Sequence, residues 1–353
     1  MEVDASPAAP QPFLETAKWT FTTRRVQKSD ATHMWSDVTR VRPGDLVLAA
    51  VERIGNHKRV QLADGRFSTI FLNDLVVLCC ADRFAPDQFS GRSVIDPAGA
   101  SLLAGGGVIG ELTKRNGRVG LPTRLKPLGA VCDETGAILN IADYALSETA
   151  STRPGLSLLV VGTSMNSGKT AAAAGLVNGF SRLGHDVAAL KLTGTGAFGD
   201  LQMYEAAGAD RVLDFTDAGL ASTHCQSTDR LLAAAKTLLG AVADHQVCVS
   251  ELADGVAQAE TQVLLEQPDF LTQFDAVLLA VHDPLSAEAA LTRLEHLGIT
   301  PMALTGRITS SAGDLAELRS RMHHPIFSRE ELCDPVVISA VQSLCKSKHP
   351  KAA

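Results

Sequence analysis

Residues 158–170 read LLVVGTSMNSGKT and run on into AAAAGLVNGFSRLG, an apolar strand, a loop opening on Gly162 and closing on Gly168-Lys169-Thr170, and then an alanine-rich helix. This order of elements decides the fold. Such a loop bends back so that successive backbone N–H groups, those of residues 166–170 among them, point into one anion-sized concavity at a helix N-terminus, where the helix dipole adds positive charge. Gly162, Asn166, Ser167, Gly168, Lys169 and Thr170 are therefore the candidate nucleotide-binding set. Lys169 is spaced to reach the β/γ-phosphates, and the Thr170 hydroxyl to ligate Mg2+. A Gly-Lys-Thr triplet alone is common; the strand before it and the helix after it give this one its weight.

Gly162 and Gly168 are separated by five residues, one more than in the usual phosphate loop G-x-x-x-x-G-K-[ST]. The longer loop resembles that of the dethiobiotin synthetases and their relatives in the SIMIBI class of P-loop proteins, which includes cobyrinate amidases, molybdopterin-cofactor accessory proteins and ParA-like ATPases. After the loop helix, residues 187–196 read VAALKLTGTG and resemble the lysine-ended second strand of dethiobiotin synthetases. The resemblance implies that Lys191 faces the substrate and the transferring phosphoryl group, as a second catalytic lysine beside Lys169. Glu251, closing the apolar run from Val247, resembles the acidic residue at the end of the family's fourth strand. A carboxylate there holds Mg2+ directly or through water, because the ion prefers oxygen ligands and keeps several waters. Asp200 is the second acidic candidate, although a helix N-cap before residues 201–208 explains it equally well. The stretches GTSMNSGKTAAAAGLVNGF, KLTGTGAFGDL, AGADRVLDFTDAGLAST and ELADG also resemble a group of P-loop proteins that carry a domain of unknown function. That resemblance spans about residues 156–310 and identifies no substrate.

From residue 156 on, strands are expected at 156–161, 187–193, 247–252, 276–281, 302–304 and 336–339, with helices at 228–243, 284–297 and 313–322. The alternation implies an α/β fold, a doubly wound and mainly parallel sheet, whose ligands gather at the carboxyl ends of the strands. Candidate substrate contacts are Thr193 and Thr195 in the second-strand loop, and Asp214, Asp217 and Ser222 in the polar run DFTDAGLASTH. Turn and capping chemistry accounts for that run equally well. His224-Cys225 lacks the further ligands a Zn2+ site needs.

The chain divides near Pro154, giving a partly disordered segment over residues 1–35, a β-rich domain over 36–150 and a P-loop domain over 155–345. In the β-rich part, short apolar runs begin at Asp45, Arg59, Ser68 and Leu75 with turn residues between them, the pattern of a small barrel or sandwich. The TAKWTFTTRRV stretch reads as one more strand. Arg40, Arg42, Arg53, Lys58, Arg59 and Arg66 suggest a phosphate or nucleic-acid surface, but no aromatic platform is interleaved with them, so solvated edge-strand charges are the preferred reading. The Gly105-Gly-Gly run does not follow a strand into a helix and is no dinucleotide fingerprint.

With 45% hydrophobic residues in 353 the chain has ample material for two cores, and 32 Lys and Arg against 39 Asp and Glu give a net charge of −7. Nucleic acid is not favoured as a partner by that balance. Seven cysteines without a C-x-x-C pair, no apolar run long enough to span a bilayer and no leader-like start point to a cytoplasmic protein without membrane partners. No N/T-K-x-D guanine reader occurs; LTGRI at 304–308 stands in its place, so ATP is the expected nucleotide. The resemblance further implies a homodimer. Two function classes stay open: an ATP- and Mg2+-dependent enzyme acting on a small carboxylate or amine, by phosphoryl transfer or ligation, and a nucleotide-gated module that holds and releases a protein or RNA.

Overall fold

The computed structural model describes residues 13–149 and 153–348, and the first dozen residues, expected to be disordered, lie outside them. Two units divide the chain. The first comprises Met1–Leu146 with two segments from the second half, Thr195–Phe198 and Phe215–Cys225; the second comprises Ser147–Gly194, Gly199–Asp214 and Gln226–Ala353.

The first unit opens with α1 (Phe13–Thr16) and contains β1 (Lys18–Trp19), β2 (His33–Trp35), β3 (Leu46–Arg53), β4 (Arg59–Gln61), β5 (Phe67–Thr69), β6 (Leu75–Cys80), β7 (Phe89–Arg92), β8 (Ala100–Ala104), β9 (Val108–Arg115) and β10 (Arg124–Cys132). Five strands close a ring in the order β6-β3-β10-β8-β9, antiparallel throughout until β9 returns to β6 in parallel, with Val108 opposite Cys79. Closure removes the open edges within that ring. The runs LVLAAV and LVVLCC are continuously apolar because both strand faces are covered: Leu46, Leu48, Val77 and Cys79 enter one core cluster, Val47, Ala49, Val76, Leu78 and Cys80 another. The expected strand around Thr20 is a ladder strand only at Lys18–Trp19, with Thr20 extended and bridged to Leu62. Phe21–Thr23 is instead a 3-10 turn, because the Thr23 hydroxyl bonds back to the Thr20 carbonyl at 2.8 Å and draws the chain into a local bend.

In the second unit the elements alternate: β11 (Leu156–Gly162), α2 (Lys169–Arg182), β12 (Val187–Lys191), α3 (Gly199–Ala207), β13 (Arg211–Asp214), α4 (Thr228–Gly240), β14 (Val247–Glu251), α5 (Ala259–Leu265), α6 (Pro268–Leu271), β15 (Ala276–Ala280), α7 (Pro284–His296), β16 (Ala303–Thr305), α8 (Ala312–Arg321), α9 (Arg329–Leu332) and α10 (Pro335–Lys348). All six strands are parallel, in the order β13-β12-β14-β11-β15-β16. Strand order reverses about β11, the position where a doubly wound sheet opens a crevice at its carboxyl edge. Register then lines up the strand ends, with Asp214 opposite Lys191, Lys191 opposite Glu251 and Glu251 opposite Val160.

Residues 336–339, expected as a strand, are helical. Pro335 starts α10, where its missing N–H costs nothing, and the Asp334 carboxylate accepts from Val336 N at 2.9 Å. Ile338, Val341 and Cys345 recur at helical spacing and are buried, whereas Val336 is 77% exposed. The β-branched triplet Val336-Val337-Ile338 favours a strand locally, and packing overrides it. That packing needs glycines on α2: a Cβ at Gly179 would overlap Ile338 Cγ1 and the Leu332 carbonyl, and one at Gly175 would sit 3.0 Å from Leu332 Cβ.

Candidate functional site

The loop joining β11 to α2 is tied to both neighbouring strands' ends. Thr163 N donates to the Ala280 carbonyl at 2.9 Å, and Val256 N to the Gly162 carbonyl at 2.9 Å. Glycine is required at 162, since a Cβ there would lie 2.7 Å from Lys169 Cγ and overlap Ser167 Oγ. Asn166 (φ 60°) and Gly168 (φ 99°) take left-handed conformations that turn the chain into the helix. A side chain on Gly168 would also meet Gly306 Cα at 2.9 Å, and Arg307 N donates to the Ser167 carbonyl at 2.8 Å. The segment after β16 thus braces the loop, a role for Gly306 and Arg307 that no sequence signal marked.

The interior of this loop is rich in uncommitted donors. Among the described residues, the N–H groups of Asn166, Gly168, Lys169 and Thr170 find no acceptor in the protein, as expected of a helix N-terminus. Ser167 Oγ is buried without a partner. Lys169 is folded inward, 6% exposed, its Nζ donating to the Ser164 carbonyl at 2.8 Å. Burial lowers its pKa to about 8, with the Glu251 carboxylate opposing that shift and the Lys191 ammonium adding to it.

Glu251 is the hub of the strand ends. Its carboxylate, 2% exposed, accepts from Thr170 Oγ1 at 3.2 Å and from the Tyr204 hydroxyl, and stands 3.9 Å from Lys191 Nζ. Lys191 pairs directly with Asp200, which lies inside the first turn of α3 and not in the capping position before it. Tyr204 follows Asp200 by four residues, so α3 presents both to the same cluster. Burial pushes the Tyr204 phenol well above its usual range, so it stays a hydrogen donor to the carboxylate. The i, i+4 pairing with Asp200 was the signal that would have found it. Thr193 accepts from Ala253 N at 2.8 Å and so ties the loop after β12 to the loop after β14.

The remaining candidates fall in both units. Asp214 ends β13 beside Lys191 in the second unit, whereas Thr195, Asp217 and Ser222 belong to the first. Thr195 and Ser222 face each other across an isolated antiparallel bridge. Asp217 forms ion pairs with Arg24 at 2.6 Å and Arg25 at 3.6 Å. The basic residues all belong to the first unit: Arg40 and Arg66 pair with Asp37 and Asp64, while Lys58 and Arg59 line a cleft. Among the described residues no three His, Cys, Asp or Glu side chains gather as a metal site, and no helix is long and apolar enough to cross a membrane.

The residues of the loop fit a nucleotide phosphate and its Mg2+. An anion would satisfy the free N–H groups and the orphaned Ser167 hydroxyl, and would draw Lys169 away from its loop carbonyl. Thr170 and Glu251 offer one hydroxyl and one carboxylate oxygen, the hard donor set that Mg2+ completes with phosphate oxygens and water.

No family model and no curated protein matches the chain. Among solved structures it is similar to two of the signal recognition particle receptor FtsY from Elizabethkingia anophelis, one of them in complex with GDP. Each aligns at 18% identity and a TM-score of 0.34, over 59% of this chain and 67% or 75% of the other.

Proposed function

We propose that the second unit is an ATP- and Mg2+-dependent enzyme that activates or phosphorylates a small carboxylate or amine. The observation that supports this most is the donor-lined loop between β11 and α2, with an unpartnered buried Ser167 hydroxyl and an inward-folded Lys169. In this reading residues 162–170 hold the phosphates, and Thr170 and Glu251 hold the ion, which when bound neutralises charge on the phosphate oxygens. Lys191, delivered to the same strand edge by register, stabilises the charge of the transferring phosphoryl group after exchanging Asp200 for it. A substrate oxygen or nitrogen would displace ADP from the γ-phosphorus and lose its proton. Asp200, freed from the lysine, is the nearby carboxylate able to take that proton.

Lys191→Ala is expected to spare nucleotide binding and to remove turnover, measured as phosphate release in the presence of a panel of small carboxylates and amines. An unchanged steady-state rate would remove Lys191 from the chemistry. It would favour the second reading, a nucleotide-gated binding module. That reading draws on the chain path: the segments that follow Gly194 and Asp214 in the chain belong to the first unit.

A further inference from the structure

The first unit contains a cleft of about 500 Å3 that the proposed chemistry does not use. It is lined from β4, β5, the β8–β9 turn and the segment Thr195–Phe198, with Gln61 N bonded to the Gly105 carbonyl at 2.8 Å and Gln61 Oε1 accepting from Phe198 N at 2.7 Å. Its charged lining is of one sign: Lys58, Arg59 and Arg83, with no carboxylate among the lining residues.

Arg83 is 8% exposed. Its terminal nitrogens donate to the Leu103 carbonyl and, at 3.2 Å, to Gln88 Oε1, but its Nε is buried without a partner. Asp87 pulls its pKa up, and burial outweighs that pull and lowers it to about 10. A buried guanidinium that keeps a free donor and has no carboxylate within ion-pairing distance carries a desolvation cost that an anion would offset. His57 lines the same cleft. It bonds to the Leu102 backbone, its Nδ1 is buried and unpartnered, and burial together with the Arg83 charge brings its pKa down to about 4. The ring is therefore neutral at pH 7, with Nδ1 left as an acceptor. Arg59 is held at the rim by stacking 3.9 Å over the Phe67 ring, whose own edge meets Phe198 at 4.8 Å.

We infer that this cleft binds a small organic anion that also carries a hydroxyl, the phosphate or carboxylate group lying against Arg83, Lys58 and Arg59 and the hydroxyl donating to His57 Nδ1. The volume falls within the roughly 300–1,000 Å3 usual for small-molecule sites. This inference is independent of the nucleotide reading.

The test is calorimetric titration of the full chain with glycerol 3-phosphate and with malate, which separate the phosphate and carboxylate sources. One or both should bind, more weakly as salt rises. The exposed variants Lys58→Glu and Arg59→Glu should each weaken binding about tenfold or more, while Lys169→Ala leaves it unchanged and the His57 ring resonances shift on titration. Arg83→Gln should also abolish binding. Because Arg83 braces Leu103 and Gln88 as well, the rim variants decide the matter if that protein fails to fold. The inference is overturned if neither probe binds, if both rim variants bind as the wild type does, or if Lys169→Ala abolishes binding, which would place the anion in the β11–α2 loop.

Discussion

The β11–α2 loop and the basic cleft of the first unit both gather donors around room for an anion, by opposite means. The loop relies on backbone: contiguous residues, two left-handed turns and a helix N-terminus aim N–H groups inward, while its lysines are balanced by Glu251 and Asp200. The cleft relies on side chains, His57 to Arg59 at the start of β4 and Arg83 from the segment between β6 and β7, and its cations have no lining carboxylate. Backbone donors are nearly independent of side-chain identity, so such a site leaves a spaced motif. In the cleft His57, Lys58 and Arg59 are contiguous, but Arg83 joins them only through the fold of the first unit, so no spaced motif records the site.

The strongest test of this contrast is Lys169→Ala. It should lower nucleotide affinity on the order of 100-fold by removing the one buried charge aimed at the phosphates and leave anion binding in the cleft untouched. Wild-type nucleotide affinity by calorimetry would overturn the loop assignment.

Glu251→Gln comes next. It removes the carboxylate that accepts from Thr170 and Tyr204 while leaving Lys191 in place, so denaturant unfolding should show a loss of about 3 kcal/mol, the scale for breaking a buried pair. The Mg2+ dependence of nucleotide binding should fall with it. A loss well under about 1 kcal/mol, the scale of a surface ion pair, would mean that the cluster is looser than its burial implies.

Smaller is Gly179→Ala, which forces a methyl group into Ile338 and the Leu332 carbonyl and should cost about 1–3 kcal/mol. Gly313→Ala, with nothing within 4 Å of the added methyl, is the control and should be neutral or stabilising.

The gentlest probe is pH, where the two regions respond in different windows. Lys169 has a folded pKa of about 8 against 10.5, so between these values the unfolded chain binds more protons and stability rises with pH. His57 has about 4 against 6.5; the sign is the same, and stability is lost as pH falls through that lower window. Melting curves across pH should flatten on the alkaline side in Lys169→Met and on the acid side in His57→Gln. Unchanged profiles would mean that neither group is buried as described.

Much of the second unit was legible because its signals are local. The run from Leu158 to Thr170 carries its own strand, turn and helix start, and Asp283-Pro284 marks the start of α7, where the structure closes a capping box between Asp283 and Ser286. Val336-Val337-Ile338 misled for the same reason: read alone it favours a strand, and only its burial against α2 makes it helical. β7 to β10 were not singled out as strands: glycine or proline interrupts the apolar pattern of β7, β9 and β10, and β10 pairs with β3, about seventy residues earlier.

What the sequence alone determined is the course of the loop: a strand before it, where the helix begins and that a lysine and a threonine open it. Those features depend on torsion preferences and hydrogen bonds within about one helical turn. Only the tertiary structure decided that Lys191, Glu251 and Asp214 share one register, that Tyr204 closes the cluster, that Arg83 and His57 meet over a cleft, and that 195–198 and 215–225 belong to the first unit. Strand register and burial are settled by contacts between residues tens of positions apart, where the energy lies in excluding water from the assembled whole and no short segment carries it.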